Sequence, residues 1–152
     1  MIIVNFEFIS AICNTMKGKT FMKTFDNKNF ENCKQEVKEK WGKTEAYKEH
    51  CEKTRDYSDD KWNTLAEAMD GILAEFALCL KSGKASDSDE SQFLVKKLQK
   101  HITDNYYNCT NEILAGLGQM YVADERFRNN IDKHGEGTAE FIRDAIDCCC
   151  SK

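Results

Sequence analysis

Over residues 59–80 the apolar side chains Trp62, Leu65, Met69, Ile72, Leu73, Phe76 and Leu80 return at three- and four-residue steps. That period marks a helix with one buried face and commits the middle of the chain to helix packing. Ser58 stands where an N-cap belongs, Asp59 and Asp60 suit the positive end of the helix dipole, and Ser82-Gly83 supplies the stop. The 152 residues include no proline. Prolines gather in turns and at sheet edges, so their absence agrees with helices joined by short polar connections.

The same period continues downstream. A loop over 84–87 leads to a helix from about 88 to 107, striped by Leu94, Leu98, Ile102 and Tyr106. Asn108-Cys109-Thr110 breaks it, and Thr110 caps a short helix carrying Ile113, Leu114, Leu117 and Tyr121. Asp124 caps the next, with Phe127 and Ile131 inward and Gly135 at its close. The last helix, about 137–148, buries Phe141, Ile142, Ala145 and Ile146. Upstream, 25–55 is more polar and reads as a helix over 28–40, a break at Trp41-Gly42, and a second helix over 44–54. Val37 is nearly its only aliphatic side chain, and helices of ~12 residues are marginal unless they dock. The expected fold is therefore one all-α bundle whose N-terminal helix pair is its mobile part.

A net charge of −4 gives no electrostatic footprint for nucleic acid, so no direct DNA contact is expected of this chain. No apolar run approaches the ~18 residues that span a membrane. The apolar start, residues 1–13, has no basic leader, carries Glu7 at its middle and lacks a small-residue cleavage site, which points to a cytoplasmic protein. Eight cysteines stand at 13, 33, 51, 79, 109, 148, 149 and 150. A chain this rich in ordinary core residues does not need disulfide staples, and reduced thiols are the better reading.

The histidines His50, His101 and His134 stand in no metal spacing and read as solvated or partly buried imidazoles. Cys148-Cys149-Cys150 offers soft ligands, but on a fraying tail with no second pair, so no metal and no cofactor is expected. Gly116-Leu117-Gly118 lies within a helix and is no phosphate loop. Nothing points to a serine triad or paired carboxylates, and binding is expected rather than catalysis. Cys109 precedes a helix cap, where backbone N–H groups and the dipole stabilise a thiolate. It reads equally as a small hydrophobe packed under the loop. Tyr106 and Tyr107 flank it. Trp41, Tyr47, Tyr57 and Trp62 cluster around the polar helix pair, either docking it or lining a cleft.

Three segments then occur in order at the spacing of one family: Trp41-Gly42-Lys43-Thr44-Glu45-Ala46-Tyr47; Tyr106-Tyr107-Asn108-Cys109 with 116–127; and Asn130-Ile131-Asp132-Lys133 with 135–145. Together they resemble the TipAS antibiotic-recognition domain, the effector domain of TipA-type transcriptional activators in the MerR family. The resemblance runs over 25–146 and divides the chain into an N-terminal segment, 1–24, and a ligand-binding domain, 25–148. It implies a globin-like fold without haem. It also implies a cleft for thiopeptide antibiotics such as thiostrepton, or other bulky drugs, closed by the N-terminal helices as they fold over the ligand. Cys109 matches the family's Tyr-x-Cys cysteine, which adds to dehydroalanine. Joined with the aromatics read above, the expected ligand-binding residues are Cys109, Tyr106, Tyr107, Trp41, Tyr47 and Trp62.

The sequence carries neither the winged-helix DNA-binding domain nor the coiled coil of a full regulator. Residues 1–22, with Ile2, Ile3 and Val4, make a poor coiled coil. The chain is thus expected to be a truncated regulator's effector domain or a stand-alone drug-sequestering protein, and a monomer without the coiled coil. Two other classes compete: a haem- or metal-binding redox protein, and a thiol enzyme on Cys109 with His101 or His134 as its base.

Overall fold

The computed structural model describes residues 43–123 and 125–151, together with Glu39. Six helices form among them: α1 Glu45–Thr54, α2 Asp59–Lys81, α3 Asp89–Asn105, α4 Asn111–Ala123, α5 Glu125–Asp132 and α6 Thr138–Cys150. No strand occurs among the described residues, so the chain is all-α as expected. The expected helix over 28–40, the Trp41-Gly42 break and the Asp124 cap lie outside the described residues, save that Glu39 is helical.

The caps follow the local sequence. Thr44, Ser58 and Ser88 accept the backbone N–H of Tyr47, Lys61 and Ser91, satisfying donors that the first turns of α1, α2 and α3 leave open. At the far end of α2, Gly83 takes φ 77°. The N–H of Gly83 reaches Leu80 O and that of Lys84 reaches Cys79 O, a Schellman closure that only a residue at ease in the left-handed region makes without strain.

Helix α6 is the hub, packed most closely on α4 and also against α3, α2 and α5. Its inward face, Ala139, Ile142, Ala145 and Ile146, is fully buried. Gly118 lets α4 approach it, since a Cβ built there would sit 3.4 Å from Ile146 Cδ1. The turn before α6 is tied to the middle of α2 by Asp70, whose Oδ1 lies 2.9 Å from both Lys133 Nζ and His134 Nε2.

Two boundaries differ from the sequence reading. Helix α3 ends at Asn105, so Tyr106 and Tyr107 belong to the connection, where both backbone N–H groups bond Ile102 O. Helix α6 runs on to Cys150 instead of fraying from Cys148. The start of α4 gives its last turn something to lie against: Cys150 Sγ donates to Asn111 O at 3.3 Å, and Cys149 and Cys150 pack on the core. Helix α1 has a buried face made of His50 and Thr54.

Candidate ligand site beneath helix α1

The first turn of α2 and the α3–α4 connection meet in an aromatic wall. Trp62 and Tyr106 lie 6.2 Å apart between ring centroids. Each is backed by another ring: Tyr57 stands edge-on to Trp62 at 5.5 Å, and His101 edge-on to Tyr106 at 5.8 Å. Edge-to-face geometry at these distances is the favoured arrangement of aromatic pairs. Polar contacts fix the backing. Tyr57 Oη donates to Asn105 O at 2.7 Å, and Lys61 Nζ stands 5.5 Å from the Tyr57 ring.

Helix α1 lies over this wall and inserts one side chain. The His50 imidazole is nearly parallel to Tyr106, 10° between planes at 6.0 Å, and tilted against Trp62 at 6.1 Å. It is only 7% exposed. Burial pushes its pKa down to about 4, so the ring is neutral at physiological pH. Burial also lowers His101, partly opposed by Asp104. Two polar contacts hold α1 at the surface: Lys53 Nζ donates to Thr103 O at 2.7 Å, and Glu49 Oε1 accepts the Asn108 N–H at 3.0 Å.

The Cys109 backbone is held from both sides. Its N–H donates to Thr103 Oγ1 at 3.2 Å, and Gln99 Nε2 donates to its carbonyl at 2.9 Å. Thr110 caps α4 as the sequence indicates, its Oγ1 accepting the Ile113 N–H at 3.2 Å. The Cys109 side chain is 4% exposed, with Sγ 3.9 Å from Thr110 O.

Of the six residues expected at the site, Tyr106 and Trp62 are in mutual ring contact, and Tyr107 and Cys109 are buried in the same connection. Tyr47 is partly buried on α1, where burial and then Cys51 raise its pKa. Trp41 lies outside the described residues. Sequence reasoning missed His50, which it treated as a solvated or partly buried ring. The available signal was the Ala46, His50, Thr54 spacing, one face of a helix repeating every fourth residue. It also gave His101 and His134 possible thiol-partner roles; His101 packs on Tyr106, and His134 pairs with Asp70. Among the described residues no group of three or more His, Cys, Asp or Glu is placed to hold a metal ion.

The wall is thus built of tilted and edge-on rings and covered by a separate short helix. The model of one family, the TipAS antibiotic-recognition domain, matches residues 33–149. The chain belongs to that family. Among its relatives is the HTH-type transcriptional activator TipA of Streptomyces coelicolor, 36% identical over 122 residues, which are 80% of this chain and 47% of that protein. The activator mta of Bacillus subtilis is 39% identical over 115 residues, 76% of this chain and 44% of its own. This TipAS-family chain therefore matches somewhat less than half the length of either regulator.

A solved structure of TipAS from Streptomyces lividans, in complex with nosiheptide and described as part of a thiopeptide antibiotic multidrug resistance system, is similar in fold. The TM-score is 0.73 at 34% identity, covering 84% of this chain and 87% of that one. No helix among the described residues is long and apolar enough to cross a membrane.

Proposed function

We propose that this chain is a ligand-sensing effector domain that binds thiopeptide-like antibiotics, or other bulky ring-rich drugs, between the aromatic wall and α1. The observation that carries the reading is the likeness to a TipAS domain holding nosiheptide, over 84% of the chain. The geometry supports it, because α1 is a short helix docked on the wall by His50, Thr54, Ala46 and Tyr47 and by two exposed hydrogen bonds. A helix of this length gains most of its stability from docking, so a ligand that adds surface beneath it can govern its order. In a longer regulator that ordering would pass to a DNA-binding end; a stand-alone chain would sequester the drug.

Tyr106, Trp62, Tyr107 and Tyr47 supply the contact surface in this reading, with Trp41 joining from the segment before α1. Cys109 supplies covalent capture. Its thiolate adds to the β-carbon of a dehydroalanine, the electron pair moves to the α-carbon, and a proton from solvent completes the thioether; nothing leaves. Because the thiol is 4% exposed, capture follows an opening of the connection over it. Binding rather than turnover is the role proposed.

Native mass spectrometry with nosiheptide tests the reading. A one-to-one complex is the expected result, and no complex at micromolar ligand would overturn it. After denaturation the adduct should remain on the unmodified protein and vanish in Cys109→Ala, which should still bind reversibly. Undiminished capture by Cys109→Ala would remove Cys109 from the chemistry.

A further inference from the structure

We infer that the outer face of the α2–α3 hairpin, centred on Leu78 and Phe93, is a pairing surface for a second copy of this chain. The inference stands apart from the ligand reading, because Leu78 lies sixteen residues, about 24 Å along α2, from Trp62.

Leu78 and Phe93 are 64% and 66% exposed, the large hydrophobic side chains that the described surface leaves to solvent. They are neighbours across the hairpin. Glu75 Oε1 lies 2.7 Å from Lys97 Nζ, and Cys79 Sγ lies 3.4 Å from Ser91 Oγ. These two cross-helix contacts bracket Leu78 on α2 and Phe93 on α3, and so put them at one level. One exposed apolar side chain is ordinary on a protein surface; two set side by side on a packed helix pair make the centre of a patch.

Charge selects the occupant and its orientation. Glu67 and Glu75 stand eleven and three residues before Leu78, and Lys97 and Lys100 four and seven after Phe93, spacings that keep each set on one helix face. On that side of the apolar pair the face is acidic on α2 and basic on α3, which makes it complementary to itself. Glu75 and Lys97 pair within one copy, yet their side chains stay 43% and 42% exposed and can each take a second partner. A two-fold axis parallel to the helices and midway between them lays the partner's α2 antiparallel over α3, with every residue kept at its own level. The partner's Leu78 then meets Phe93, and the partner's Glu75 meets Lys97. Packing α2 on the partner's α2 instead would oppose carboxylates to carboxylates. Four large side chains make a small apolar centre beside the ~1,600 Å² of a standard interface, so the pair is weak and forms at high concentration. Such pairing departs from the monomer expected of the sequence.

Sedimentation velocity of the full chain, from micromolar to millimolar concentration and with a thiol reductant present, tests the pairing. The sedimentation coefficient should rise toward that of a dimer. Leu78→Glu and Phe93→Lys, both at exposed positions, should each weaken association about tenfold or more, with helical circular dichroism unchanged. An equimolar mixture of the two variants should recover it, since one crossing then sets a carboxylate on an ammonium and the other keeps leucine on phenylalanine. A parent chain that stays monomeric at millimolar concentration would overturn the proposal, whether the patch is bare or covered by residues 1–42. So would undiminished association by either variant, or a mixture that associates no better than the variants alone.

Discussion

His50 and Tyr106 stack with 6.0 Å between ring centroids and 10° between planes, a contact that joins α1 to the α3–α4 connection and depends on an uncharged imidazole. Its pKa of about 4 lies below the 6.5 of an unburied histidine. Between those values the unfolded chain binds a proton that the folded one refuses, so stability rises with pH across that window and is flat above it. Acidification from pH 7 toward pH 4 should cost up to about 3 kcal/mol from this group. Burial lowers the neighbouring His101 too, adding loss of the same sign. Urea unfolding at a series of pH values should show a shallower dependence in His50→Ala; an identical slope would remove His50 as its source.

Gly71 sits exposed in the interior of α2, and nothing lies within 4 Å of where its Cβ would be. Gly71→Ala should therefore stabilise the fold by about 1 kcal/mol through helix propensity alone. Thermal unfolding should shift upward by about 2–4 °C, with nosiheptide binding unchanged.

Thr110→Ala removes the hydroxyl that accepts the Ile113 N–H, and should cost about 1 kcal/mol. The loss is local to the start of α4. Amide exchange at Ile113 should accelerate, and alkylation of the buried Cys109 thiol should quicken with it. Unchanged exchange at Ile113 would show that the cap contributes nothing in solution.

Asp70 is the shared acceptor for Lys133 and His134. Burial raises its carboxyl pKa, but the hydrogen bonds and charges of those two partners outweigh it and hold the carboxyl below its ordinary 3.8. The stabilisation is complete above that ordinary value and is lost as pH falls through the depressed one. With the Asp70 side chain 45% exposed, Asp70→Ala should cost about 1 kcal/mol near neutral pH, and denaturant midpoints of the two proteins should converge in strong acid.

The bundle was legible where apolar side chains set the period. The stripe from Leu65 to Phe76, the Ser58 and Thr110 caps and the Gly83 stop all stand as the residues indicate. The site was legible only in part. Tyr106 and Trp62 could be named because large aromatics beside a polar stretch need a purpose, and they meet in space. His50 was missed because a polarity pattern codes histidine as solvent-facing, whereas here desolvation makes it a neutral aromatic ring. The run of α6 to Cys150 escaped for a related reason: the contact that holds its last turn comes from Asn111, thirty-nine residues earlier.

The narrow crossing of Gly118 and Ile146 has a further consequence. Gly118 lies seven residues after Asn111, about 10 Å along α4 from its first turn. A side chain bulkier than alanine there must push Ile146 aside or tilt the helix, and tilting it swings the Thr110 cap and the Cys109 loop. The placing of the Cys109 loop is thus set from a helix crossing about two turns away. Drift at that crossing would move the Cys109 loop relative to Trp62 on α2.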